Sequence, residues 1–123
     1  MEVGGILSEK VKLSEGELVL KESRANLQAD FLIPQGGRLY LTSKRLIFIP
    51  SKLSISPDRL ETAVIDLSQI RTLEKKRGDM SNLLGGSFRS RLLIRTEDKS
   101  YFFQVWGLDD WLRKIHEARG KQT

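Results

Sequence analysis

Between residues 37 and 50 the chain reads Gly-Arg-Leu-Tyr-Leu-Thr-Ser-Lys-Arg-Leu-Ile-Phe-Ile-Pro. No other stretch restricts the fold as strongly. Residues 38–42 alternate polar and apolar side chains, the pattern of a half-buried strand. Ser43-Lys44 is a short polar break, and residues 45–49 form a second extended run that Pro50 ends. Strands joined by so short a connection must lie antiparallel. The second run is apolar on both faces, which places it centrally in a sheet.

Further strand patterns lie on either side. Residues 17–22 read as a strand that residues 25–33 continue after a bend or bulge near Ser23-Arg24. Residues 34–37, Pro-Gln-Gly-Gly, read as a turn. Residues 51–58 are loop-like, and residues 62–67 read as another strand. Residues 70–77 are more polar, as expected of an edge strand. A loop over residues 78–87 follows, and residues 91–96 and 100–105 form a second hairpin around Glu97-Asp98-Lys99. Residues 1–15 carry no assignable pattern.

The period changes after Trp106. Leu108, Trp111, Leu112 and Ile115 recur at helical spacing, so residues 107–119 are expected to form a helix with one buried stripe. Asp109 and Asp110 stand in its first turn, with Arg113, Lys114, His116 and Arg119 behind them, the arrangement that suits the helix dipole. Asp109–Arg113 and Asp110–Lys114 are spaced to pair along it, and Gly120 is a natural stop. Strands in adjacent hairpins followed by one helix argue for antiparallel sheet and against alternating βαβ units. The fold class expected is mainly β: about seven antiparallel strands in two sheets, forming a barrel or sandwich closed by the C-terminal helix.

The length, 123 residues, suits a single domain over residues 1–123. Cysteine is absent, which excludes disulfides and thiolate metal sites and agrees with a reducing, intracellular setting. The longest apolar run, Leu46-Ile47-Phe48-Ile49, is far below the ~20 residues of a spanning helix. The first residues have neither a signal-peptide pattern nor a myristoylation motif, so a soluble or peripheral membrane protein is expected. A net charge of +5 favours phosphate-bearing partners.

The order and spacing of these elements resemble a GRAM domain of the pleckstrin-homology (PH-like) class. Residues 37–48 are similar to the central GRAM hairpin: a glycine, a Leu-Tyr-Leu-Thr strand, a polar turn and a strand ending in Phe. Residues 65–75, Ile-Asp-Leu-Ser-Gln-Ile-Arg-Thr-Leu-Glu-Lys, resemble the element that follows, and Leu92-Leu93-Ile94-Arg95-Thr96 with Tyr101-Phe102-Phe103 the last hairpin. The likeness runs from about Gly16 to Ile115. It implies a seven-stranded PH-like barrel with the helix plugging one end, and a binding role toward phosphoinositides, other acidic lipids or proteins.

Catalysis has little to work with. The single histidine, His116, has no cysteine partner and no nucleophile motif, so neither an enzyme nor a cofactor or metal site is expected. Gly36-Gly37 and Gly85-Gly86 lack the residues of phosphate loops and read as turns. No nucleic-acid motif appears, and nucleic acid is not an expected partner. The basic residues are the candidate chemistry. The Pro34–Gly37 turn has no Lys or Arg, which directs attention to residues 75–91. If the strands before and after the 78–87 loop pair, Lys75, Arg77, Arg89 and Arg91 converge at its mouth; with Lys76 they are the expected contacts to a phosphate or lipid head group, which Arg forks and Lys charges suit. Met80, Leu83 and Leu84 within the loop are the expected membrane- or partner-contacting residues. The function expected is a non-catalytic module recognising acidic phospholipid head groups or a membrane surface. The alternative is a protein-interaction or self-association module on the same scaffold.

Overall fold

A computed structural model describes residues 6–8, 11–29, 35–51, 62–76 and 90–121. Two short strands, β1 (Ile6–Ser8) and β2 (Val11–Lys12), pair antiparallel in the segment where the sequence showed no pattern. The remaining strands are β3 (Val19–Ala29), β4 (Gln35–Thr42), β5 (Arg45–Pro50), β6 (Ala63–Asp66), β7 (Thr72–Lys76), β8 (Arg91–Arg95) and β9 (Ser100–Val105). They form one seven-stranded sheet in the order β6-β5-β4-β3-β9-β8-β7, antiparallel throughout. The helix α1 (Leu108–Gly120) follows.

The two expected layers are halves of this one sheet, and β3 joins them. Residues 19–27 of β3 pair with β4, while residues 25–29 pair with β9. A strand shared in this way must coil, because neighbouring strands twist relative to one another. Its register shift lies between Val19 and Lys21, not near Ser23-Arg24. β5 lies inside the sheet, between β6 and β4, and β7 lies at an edge as expected.

The glycines of the expected 34–37 turn belong to β4 instead: Gly36 stands opposite Asn26 and Gly37 opposite Ala25. Gly37 is required by space. A Cβ there would lie 2.3 Å from the Ile49 carbonyl oxygen and 2.8 Å from the Phe48 ring. The β4–β5 turn is closed by Thr42, whose hydroxyl accepts from the amides of Arg45 (2.8 Å) and Lys44 (3.1 Å).

Alternation assigns the inner face. Leu39, Leu41, Leu46, Phe48, Ile65, Leu92, Ile94 and Phe103 are buried in one cluster with Trp111, Ile115 and Ala118 of the helix. The apolar stripe thus covers the sheet as expected. Its acidic residues pair differently from expectation. Asp110 holds Arg113 and Lys21 of β3, and Asp109 reaches Lys75 of β7 at 3.5 Å. Helix charges are therefore spent on docking to the sheet as well as along the helix. Gly120 is the last helical residue.

A second buried centre anchors the segment before β3. The Glu17 carboxylate accepts a forked pair from Arg45, Nε at 3.0 Å and Nη2 at 2.8 Å, together with the Thr42 hydroxyl and the Ser14 amide. Arg45 Nη2 also donates to the Lys12 carbonyl (2.9 Å), tying β2 to the central hairpin.

Candidate functional site

On β3, Ala25 and Leu27 are buried, so Arg24, Asn26 and Gln28 face outward. The register then sets Arg24 directly opposite Arg38 of β4. Like charges in that relation repel each other. Glu22 meets only one of them, Arg38, at 3.5 Å in exposed surroundings. No ion pair to Arg24 forms among the described residues.

These arginines border a depression of about 930 Å³. The small residues Ala25, Gly36 and Gly37 line it, Tyr40 and Trp106 supply aromatic walls, and Lys75 enters from β7. Among the described residues that line it there is no carboxylate. Its volume falls within the range of small-molecule sites, roughly 300–1,000 Å³. Cations on a concave surface without lining acids concentrate positive potential and draw anionic groups.

The residues expected from sequence are only partly brought together. β7 and β8 do pair across the intervening loop, and Lys76 stands opposite Arg91. This is a second like-charged cross-strand pair. Lys75 stands opposite Leu92, so the alternation of the strand turns the two lysines to opposite faces. Lys75 joins the depression; Lys76 does not line it among the described residues. Arg91 is 9% exposed. Its Nη1 donates to Gln28 (3.0 Å), and its guanidinium lies 5.0 Å from the Phe102 ring centroid. It is therefore held largely by packing, while Lys76 stays exposed. Arg77, Met80, Leu83, Leu84 and Arg89 lie outside the described residues.

Sequence reasoning missed Arg24, Arg38 and Trp106. In the sequence Arg24 falls at the expected bend and Arg38 within an alternation of polar and apolar residues. Only the β3–β4 register makes them neighbours, since they lie 14 positions apart along the chain. An available signal was the Gly36-Gly37 pair inside a strand pattern, which marks close backbone approach or a concavity. Among the described residues no group of His, Cys, Asp and Glu has the makings of a metal site, and His116 is exposed. Among them, too, no helix is long and apolar enough to cross a membrane.

Comparison with known folds agrees with this geometry. The chain is similar in structure to the Vps36 N-terminal PH domain, with a TM-score of 0.68 and 17% identity over 98% of this chain and 92% of that one. It is also similar to the C-terminal domain of an unknown protein from Leishmania infantum, with a TM-score of 0.65 and 16% identity over 85% and 86%. The N-terminal PH domain of human ARAP2 protein gives 0.59 and 15% over 84% and 81%. No curated protein sequence matches the chain. A family model, that of the GRAM domain, matches residues 6–104.

Proposed function

Since the chain belongs to the GRAM-domain family, whose members typically act as membrane, lipid or protein interaction modules, we propose that it is a non-catalytic module that binds an acidic phospholipid head group at a membrane surface. The observation that supports this reading most is the like-charged pair Arg24–Arg38 beside a depression with no lining carboxylate among the described residues. An unbound protein gains nothing from two guanidinium groups held opposite each other. A phosphate between them turns that repulsion into charge-assisted hydrogen bonding. Lys75 borders the same depression, sharing its charge with Asp109 at 3.5 Å.

Lys76 with Arg77, and Arg89 with Arg91, extend the proposed positive border on either side of the β7–β8 connection. Arg91 acts there through its charge, since Gln28 and Phe102 occupy its guanidinium. Met80, Leu83 and Leu84 of that connection are the proposed apolar contacts beside it.

Co-sedimentation with phosphatidylcholine vesicles, with and without phosphatidylserine or a phosphoinositide, tests this at low and physiological salt. Binding is expected only with the anionic vesicles. At about 1 kcal/mol per cation near such a surface, the Arg24→Gln/Arg38→Gln double variant should bind roughly 30-fold more weakly. Arg71→Gln, whose residue is exposed and paired with Glu97, should bind like the parent. Equal sedimentation with neutral and anionic vesicles would sink the head-group reading.

A protein-interaction role has its own observation. The edge strand β6 carries Val64, 45% exposed; no strand among the described residues pairs with its outer edge, and such an edge accepts an added strand. Light scattering across a concentration series reports the self-associating form of that reading, which requires the apparent mass to rise.

A further inference from the structure

The chain has two tryptophans with opposite fates. Trp111 is fully buried beneath the sheet, while Trp106 is 75% exposed. Tryptophan is highly buried on average because its area is large and apolar, so this degree of exposure stands out.

The position of Trp106 is set by rigid neighbours. Val105 is the last residue of β9 and stands opposite Ala25 of β3. One residue beyond that pair are Trp106 on one strand and Arg24 on the other. Immediately after Trp106, Gly107 takes the left-handed conformation (φ 68°, ψ 47°) and caps α1, its carbonyl accepting from the Trp111 amide at 3.0 Å. Only glycine adopts that conformation cheaply. The chain thus turns sharply from sheet into helix and holds the indole at the corner between them. Both the ring and the Arg24–Arg38 pair border the same depression.

An exposed indole beside cations has a definite physical preference. Its amphipathic ring settles at the boundary between head groups and acyl chains, where neighbouring Lys and Arg side chains meet anionic phosphates. Charge complementarity selects the occupant here, since the depression has Arg24, Arg38 and Lys75 and no lining carboxylate among the described residues. We propose that Trp106 is the apolar anchor that seats this face of the domain on an anionic bilayer, the ring entering the interface while Arg24 and Arg38 engage head-group phosphates. This inference rests on the head-group reading above. It adds which residue enters the membrane and which face the domain turns toward it.

The two tryptophans make the test direct. Intrinsic emission is followed while phosphatidylcholine vesicles, with or without phosphatidylserine, are added, and again with acyl-brominated phosphatidylcholine in the anionic vesicles. Emission should shift to the blue and be quenched by the brominated lipid with anionic vesicles only. Trp111 is already buried and supplies a constant background. Trp106→Ala should retain the parent's circular dichroism, lose the shift, and bind anionic vesicles about tenfold more weakly; Trp106→Phe should fall between. Salt separates the two contributions, because the loss from Trp106→Ala persists at high salt while that from Arg24→Gln/Arg38→Gln shrinks. Anionic vesicles that sediment the parent and Trp106→Ala equally, with no change in emission, would overturn the anchor and leave head-group binding standing. Failure of the parent to sediment with any vesicle would overturn both. A blue shift that follows protein concentration without vesicles would assign the indole to self-association and overturn the membrane assignment.

Discussion

Glu17 is a fully buried acid whose partners decide its charge. Burial pushes its carboxyl up. The hydrogen bonds from Arg45, Thr42 and Ser14, with the charge of Arg45, outweigh that and hold it at about 2, against an ordinary 4.5. A folded-state value below the unfolded one stabilises the fold above the unfolded value and loses that contribution as pH falls toward the folded one. Stability to urea should therefore decline between about pH 5 and pH 2, with roughly 3 kcal/mol at stake from this group. Glu17→Gln should lower stability at neutral pH and flatten the acid decline. A variant that keeps the parent's full pH slope would show that other carboxylates cause it. The sequence offers no sign of this role, since an acid at the start of a strand pattern looks like any surface residue. Thr42 and Arg45 become its partners only when the central hairpin folds back on the chain.

The helix α1 has the buried stripe that its spacing implies, but its charged residues find partners elsewhere. Spacing identified the stripe, and Trp111 and Ile115 are indeed fully buried against the sheet. Pairing along the helix departs from its spacing because Lys21 and Lys75, on distant strands, compete for Asp110 and Asp109. The Lys21 ammonium also lies 5.2 Å from the Trp111 ring centroid, so one side chain from β3 grips both. Trp111→Ala should cost about 3–5 kcal/mol in chemical unfolding, the usual range for emptying so large a buried site. Leu112→Ala, at a partly buried position beside it, should cost less than half as much. Equal losses would contradict this orientation of the stripe. Likewise, β4 begins at Gln35, ahead of the alternating run that starts at Arg38. Gly36-Gly37 reads as a turn in the sequence because the glycines follow Pro34, whereas the close approach of Ile49 and Phe48 requires Gly37 within the strand.

For the whole molecule, the curled sheet matters because it converts distance along the chain into proximity. β3 is shared by both halves, so Arg24 meets Arg38 on one side while Gln28 reaches Arg91 on the other. A net charge of +5 is modest, and its effect depends on this concentration of cations. If the depression binds anionic head groups, vesicle affinity should fall steeply between about 0.05 and 0.5 M NaCl, as the screening length contracts below ~10 Å. Arg24→Gln/Arg38→Gln should flatten that dependence. A parent whose binding ignores salt would place the contact elsewhere.

The sequence by itself determined the antiparallel class, the central hairpin, the edge position of β7 and the single docking helix. These follow from local periodicity, from connections too short for any other arrangement, and from an apolar stripe that must be covered. It also carried the resemblance to the GRAM family. Tertiary structure alone decided which cations meet. Strand register is set by the global fit of the core, and a shift of one residue would turn every side chain to the other face. Register separates Lys75 from Lys76, buries Arg91 against Phe102, and brings Arg24 to Arg38. The corner at Gly107 likewise decides that Trp106 stays in solvent while Trp111, five residues on, fills the core.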